Sequence, residues 1–574
     1  MRLLVVRGLI AAIVVISFFP TVAWPKASPT NAESTPTPSP TPFYWSGRIR
    51  SYFFTRQNAS NNPGVQYRGA GKCNNIGGSS TCVNQATLAQ SIDLHADYRF
   101  TGGWNVGTTY FYADPFSGPC ATAATHAKGL PCVSQAPPNL NPDDTVPGFI
   151  VNTFYEAYVA YAARSFSAKI GDQLFASPWA GPLDTRLKPA AFQGVDFKDV
   201  TPGGVTYEVA DMVQWENRTS STFQSNTLIT SFPSGGGGLA PNILQPGCYG
   251  RSCTGFTSPG FLYAHLGDDA PGAKCTANAN DAANAIDEAN PGNNPVRGDD
   301  SKLDYKADAY YWGVSQIVDM FWGSGCYEWK RQRLMPYVAV QGGWESSSGS
   351  QLAGKIRSSL AGLQVGAHAK YVKLAASFDA VPWHYDALVG RLPGAATCSK
   401  QTSQVNAGSG SFPYFLPINA AQCLESRDST TIAYGGWASP YTDGYATNPL
   451  FTTQISQGMP DRRAPGTSWG LSATYESRNH RVVFGASDAW YDYGNRIAPE
   501  TTHEWDLDGT YYFGAHCDDI RYRGFKFRYR YAERTLSNTF CGASQTNCSA
   551  TAGTIILGGL PLFKYNRAML EYDF

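Results

Sequence analysis

The residues best placed to act on a charged solute lie near the C-terminal end of the sequence. In R-G-F-K-F-R-Y-R-Y, residues 523 to 531, Lys526, Arg528 and Arg530 occupy every second position, with Phe525, Phe527, Tyr529 and Tyr531 between them. Upstream, H-E-W-D-L-D-G-T-Y-Y-F sets Glu504, Asp506 and Asp508 against Trp505, Leu507 and Tyr511 in the same alternation. An extended chain sends successive side chains to opposite faces, so each stretch predicts a strand with one charged and one apolar face. A cationic column beside an anionic one can neutralise it by cross-strand pairing. It can also set a transverse field that orients a dipolar or anionic solute.

Other segments repeat the pattern. F-Y-W-S-G-R-I-R-S-Y at 43 to 52 puts Arg48 and Arg50 on one face with Tyr44 and Tyr52. The last ten residues set Tyr565, Arg567, Met569, Glu571 and Asp573 against Asn566, Ala568, Leu570, Tyr572 and the terminal Phe574. Further alternating runs occur at 153 to 164, 362 to 381, 469 to 477 and 482 to 493. No stretch after residue 42 reads as a helix.

Enzyme chemistry finds little support. Gly466-Thr467-Ser468-Trp469-Gly470 fits G-x-S-x-G, but it stands between a turn and an alternating strand rather than at a strand-to-helix elbow. The eight histidines show no metal-pair spacing. We therefore expect no catalytic residue, no metal and no cofactor. The acidic run at 278 to 304 could bind calcium, and reads more simply as a solvated loop.

Composition bounds the rest. Charged residues make up 15% of the 574, where an ordinary globular chain has about 25%, and aromatics reach 13% with 58 glycines. Lys+Arg and Asp+Glu both number 44, so no net field points to nucleic acid. Arg2 and Arg7 precede an apolar stretch from Leu9 to Phe19, with small residues by Ala32. That predicts an export signal over 1 to 32, too short to span a bilayer as an anchor. A proline-rich spacer over 33 to 42 follows. No later stretch approaches 18 apolar residues, so any membrane crossing must be made by strands.

Thirteen cysteines follow the signal. Cys73 and Cys82, Cys120 and Cys132, Cys248 and Cys253, Cys398 and Cys423, and Cys541 and Cys548 are close pairs in Gly/Ser/Asn/Pro-rich stretches, as loop-stapling disulfides would be. Short turns such as 477 to 481 contrast with long connections at 217 to 300 and 386 to 466. Together these features predict an all-β transmembrane antiparallel barrel over 43 to 574 with long, disulfide-stapled extracellular loops. A secreted protein of several β-sandwich domains is the other all-β reading.

The segments G-R-I-R-S-Y-F-F-T-R at 47 to 56, K-I-G-D-Q-L-F-A-S-P-W-A-G-P-L-D-T-R-L-K-P-A-A-F-Q-G-V-D-F at 169 to 197, Y-T-D-G-Y-A-T-N-P-L-F-T-T at 441 to 453 and the two C-terminal stretches above resemble, in order, the OprD-type outer-membrane porins. The final strand ending in Phe also resembles the signal that the outer-membrane barrel-assembly machinery reads. The resemblance implies about 18 strands, an inward-folded constriction loop after Gln173, and diffusive uptake of small water-soluble solutes such as carboxylates or amino acids. It matches Arg50, Arg528 and Arg530 to a pore-lining basic track, with Arg567 at the corresponding place on the last strand, and alternation sets Arg48 and Lys526 on the same lumen faces. Asp488 joins Glu504, Asp506 and Asp508 as pore-lining acids, and Arg186 and Asp443 flank the constriction. The expected partners are solutes, outer-membrane lipid and the assembly machinery, and the expected location is the outer membrane. An outer-membrane barrel enzyme, or a surface-binding protein using its long loops, is the alternative.

Overall fold

The computed structural model describes residues 42 to 574, except for 60–72, 77–78, 83–84, 116–150, 164, 183–186, 202–203, 219, 226–259, 269–304, 330–333, 350–355, 370, 388–430, 435–436, 438–439, 442–447, 456–457, 460–464, 479–480, 493–500, 514–523 and 536–561. Every regular element among the described residues is a strand. They are β1 (Phe43–Ala59), β2 (Cys73–Ile76), β3 (Ser79–Cys82), β4 (Gln85–Arg99), β5 (Trp104–Pro115), β6 (Val151–Ala163), β7 (Phe166–Gln173), β8 (Ala191–Val200), β9 (Val205–Glu216), β10 (Phe261–Asp268) and β11 (Tyr305–Val314). The chain continues through β12 (Val318–Glu328), β13 (Met335–Ser347), β14 (Arg357–Ala369), β15 (Val372–Val381), β16 (His384–Ala387), β17 (Thr431–Tyr434), β18 (Gly466–Glu476), β19 (Val482–Asp492), β20 (Thr501–Tyr512), β21 (Gly524–Arg534) and β22 (Leu562–Asp573).

Leaving out the hairpins β2–β3 and β16–β17, the strands form one 18-stranded antiparallel sheet that closes when β1 pairs with β22. Closure leaves no exposed strand edge, which is the condition for a sheet to cross a membrane. At the seam, Gly47 and Phe574 exchange backbone hydrogen bonds of 3.1 and 2.9 Å. A Cβ at residue 47 would stand 2.3 Å from the Phe574 ring, so a larger residue there would displace the terminal aromatic.

The outer surface is apolar and carries two girdles of rings. At the end where β1 begins and β22 finishes, Trp45 meets Phe574, Tyr98 meets Phe100, Trp104 meets Tyr161, Tyr327 meets Trp329 and Tyr511 meets Phe513. Towards the other end, Tyr110 meets Phe154, Phe321 stacks on Trp344, Phe378 meets Trp469 and Trp505 meets Tyr531. Ile49, Leu94, Val340, Leu363, Leu374 and Leu471 fill the exposed band between them. Aromatic girdles at two levels around an aliphatic band are the outer surface of a transmembrane barrel.

The pattern of turns is less simple than the sequence suggests. The stretch 217 to 300 is not one loop, because β10 interrupts it. Asp268 pairs with Val205, just after the short turn from β8, so β10 finishes at the end where β1 begins. The connection 217 to 260 leaves at the opposite end, together with 382 to 465. The run 362 to 381 likewise resolves into two strands, β14 and β15. Cys73 and Cys82 lie opposite each other in the β2–β3 hairpin. Cys326 is disulfide-bonded, yet it sits on barrel strand β12 rather than in a loop.

Candidate functional site

The inner face carries the charge. On β21, Lys526, Arg528 and Arg530 turn inward while Phe525, Phe527 and Tyr529 are exposed outside. Glu504, Asp506 and Asp508 of β20, Arg48 and Arg50 of β1, and Arg567 and Glu571 of β22 turn inward too. All of these are buried, so the columns meet protein rather than open water. They meet each other first. Arg528 donates to both oxygens of Asp508, at 2.9 and 2.7 Å, and Arg530 donates to the same carboxylate. Arg50 Nε donates to Glu571 at 2.6 Å and Lys526 Nζ reaches the other oxygen of Glu571 at 2.5 Å. Arg48 pairs with Asp93 at 3.1 Å.

Register explains the pairing. Asp508 lies directly across from Arg530, Glu571 from both Arg50 and Lys526, and Arg48 from Asp93. Opposite charges placed opposite each other on one face are ordinary sheet chemistry. Their burial makes each pair matter more than a surface pair would. One juxtaposition breaks the rule: Arg530 faces Arg567 across β21 and β22. Arg567 stands over the Tyr52 ring at 5.7 Å, and the Tyr52 and Tyr565 hydroxyls meet at 3.1 Å.

Asp488 requires a correction. On β19 the inward residues are Val483, Gly485, Ser487, Ala489 and Tyr491, and Asp488 shares the outward face with Phe484 and Trp490. It lies across from Leu471 and Trp505, both outward-facing, and contacts His503, which stacks under Trp490 at 5.1 Å. Asp488 therefore does not line the interior. Arg186 and Asp443 lie outside the described residues, as does the acidic run 278 to 304.

Two chain segments fold into the barrel. The first, 174–182 with 187–190, follows β7. Leu174 N donates to Glu156 Oε1 at 3.3 Å, and Trp312 Nε1 donates to Ser177 at 3.2 Å. Arg50 reaches the Leu187 carbonyl at 3.4 Å. Lys188 is wholly buried against Glu216, at 2.7 Å, and near the Tyr155 ring. Burial pulls its ammonium below the ordinary lysine range, and Glu216 opposes that shift. Two β-bulges prepare this bed. The β5–β6 register slips between Thr109 and Tyr110, which turns both Tyr155 and Glu156 inward. The β8–β9 register slips between Gln193 and Gly194, beside Met212 and Trp215.

The second, 448–455 with 458–459, belongs to the connection between β15 and β18, and these residues are buried apart from Pro449 and Ile455. Phe175 and Trp179 of the first segment join Trp437, Leu450 and Met459 in one apolar cluster with Phe192, Phe261, Trp312 and Trp322 of the wall. Trp179 and Trp437 are 5.3 Å apart. The barrel interior is thus narrowed by two segments that meet in an aromatic cluster against β8 to β12. Ser468 of the G-x-S-x-G match lies inside strand β18, bonded to Thr452 at 2.5 Å, with no elbow around it.

No family model and no curated protein matches the chain. Solved structures do. The chain is similar to OccK9 (OpdG) of Pseudomonas aeruginosa, with 14% identity, a TM-score of 0.54, and coverage of 93% of this chain and 98% of that one. A BenF-like porin from Pseudomonas fluorescens Pf-5 gives 10% identity and a TM-score of 0.55 over 93% and 98%. Pseudomonas aeruginosa OpdK, solved with vanillate, gives 11% and 0.52 over 92% and 98%. OccK2 (OpdF) of the same organism, solved in complex with glucuronate, gives 11% and 0.52 over 93% and 98%. At these identities the likeness establishes the fold, an 18-stranded barrel of the kind the OprD-type resemblance implied.

Proposed function

We propose that the protein is an outer-membrane porin of the OprD type that admits small water-soluble solutes by diffusion. The observation that carries this reading is the pairing of a lipid-type outer surface with a charged inner wall, narrowed by two inward segments. A lumen built this way selects by size and by charge, with neighbouring cationic and anionic columns orienting what passes. Carboxylates are the favoured solute class, a reading supported by the gathering of Arg48, Arg50, Lys526, Arg528, Arg530 and Arg567 on one stretch of the inner wall. The vanillate and glucuronate found with OpdK and OccK2 (OpdF) are carboxylates as well, which supports the same class here. Residues 1 to 32 act as the export signal, 33 to 42 as a spacer, and the Phe574 strand as the mark read by the assembly machinery.

Arg48, Arg50, Lys526, Arg528, Arg530 and Arg567 act as the basic wall, and Glu504, Asp506 and Asp508 as its counter-charge. Arg186 and Asp443 act at the narrowing. No enzymatic role is assigned. Liposomes carrying the folded protein test the reading: they should swell faster with small carboxylates than with neutral sugars of equal size. Swelling equal to that of empty liposomes for every solute would refute it.

A further inference from the structure

The segment Leu450–Ile455 is held to the inner wall by a row of side chains that the charged columns do not account for. Asp379 of β15 is fully buried. Its Oδ2 accepts from the Thr452 backbone N–H at 2.7 Å and from the Thr452 hydroxyl at 2.8 Å. Its Oδ1 accepts from Gln341 Nε2 of β13 at 2.7 Å. Asp506 of β20 accepts from the Ile455 backbone N–H at 2.7 Å. Between them, Ser468 of β18 meets the Thr452 hydroxyl at 2.5 Å, Tyr491 of β19 donates to the Thr452 carbonyl, and Ser487 of β19 donates to Gln454 Oε1 at 2.6 Å. Four consecutive wall strands, β15, β18, β19 and β20, each supply at least one bond to the segment, at Thr452, Gln454 or Ile455.

We propose that Asp379 and Asp506 are positioning residues that moor this segment as a fixed strap across the inner wall, and that the mooring sets the steady width of the pore. The proposal rests on the porin reading above. A backbone N–H inside a wet lumen has water as its ordinary partner, and a neutral side chain would hold it weakly. The Asp379 carboxylate accepting the N–H of Thr452 makes a charge-assisted bond about twice as strong as a neutral one, and Asp506 gives the N–H of Ile455 a buried acceptor in place of water. Burial of Leu450 and Met459 in the cluster shared with Trp179 ties the strap to the other inward segment. Asp506 is thereby engaged as an anchor rather than presented to a passing solute.

The test compares single-channel currents of the wild type with Asp379→Asn, Asp506→Asn and the double variant. Losing one charge-assisted bond should raise the fraction of time the strap is released by about tenfold. The variants should therefore show frequent excursions to larger conductance, with unheated gel mobility unchanged. In the Asp379→Asn background, Thr452→Cys with Ser468→Cys should restore quiet traces when oxidised and lose them on reduction. Traces indistinguishable from wild type in folded Asp379→Asn and Asp506→Asn chains would overturn the proposal. Should those variants fail to assemble, Ser487→Ala and Thr452→Val remove hydroxyl bonds without touching a charge. Quiet traces in that pair would also overturn it. If the wild type itself does not conduct, the porin reading fails, and amide exchange at Thr452 and Ile455 decides the mooring alone: faster exchange in the Asn variants supports it and unchanged exchange refutes it.

Discussion

Asp508 lies across the sheet from Arg530 and also holds the guanidinium of Arg528 through two oxygens at 2.9 and 2.7 Å. One buried carboxylate thus organises two buried cations, and the charged wall is a bonded network rather than a row of free charges. Removing the shared partner leaves two buried cations with less compensation, which costs on the order of 3 to 5 kcal/mol.

Asp508→Asn should therefore lower the thermal unfolding temperature of the folded barrel and shift the reversal potential towards anions. Adding Arg528→Gln and Arg530→Gln should raise the unfolding temperature again and carry the reversal potential back past wild type, because the triad, net positive in the wild type, is then neutral. Thermal melts and reversal potentials on the single and triple variants check this. A single variant with unchanged selectivity would show that the triad does not face the ion path.

Face assignment on β21 is tested from the other side. Phe527 and Tyr529 are outward-facing, so Phe527→Arg or Tyr529→Arg places a charge towards lipid, at about 2 to 4 kcal/mol near the midplane. Each should reduce the yield of heat-modifiable barrel in membranes. Normal insertion of both would mean that the two faces of this strand are reversed.

Asp488 gives a matched contrast. Because it faces outward beside His503 and Trp490, Asp488→Asn should leave ion selectivity unchanged, where Asp508→Asn shifts it. A selectivity change of similar size in both would place Asp488 back in the ion path.

These contrasts also show what the sequence makes legible. On β20, β21, β22 and β1 strict alternation of charge and ring exposes both the strand and its inward face. Asp488 obeys the same rule, since it shares parity with Phe484 and Trp490, but placing it by family position overrode that rule. β11 and β12 are harder to read because their inner faces turn apolar towards one end. Trp312, Met320 and Trp322 point inward against the aromatic cluster, so alternation of polarity vanishes where the inward segments dock. The short β10 was hidden inside a Gly/Pro-rich stretch. The moorings at Asp379 and Asp506 could not be read at all, because they join residues far apart in the chain through backbone N–H groups that carry no side-chain signature.

Cys326 lies on a barrel strand, so its disulfide joins the wall rather than stapling loops alone. Reduction should loosen the protein measurably, seen as a lower unfolding temperature, while the β circular-dichroism signal persists at room temperature. Loss of the whole signal would make the bridge a condition for the barrel itself.

The account stands most directly on conductance. Purified, unheated protein added to a planar lipid bilayer should produce discrete, stepwise increases in current, ohmic at low voltage, each step from one inserted barrel. Protein that runs as a heat-modifiable barrel and inserts, yet gives no current steps across the bilayer, would contradict the claim that this barrel is a pore.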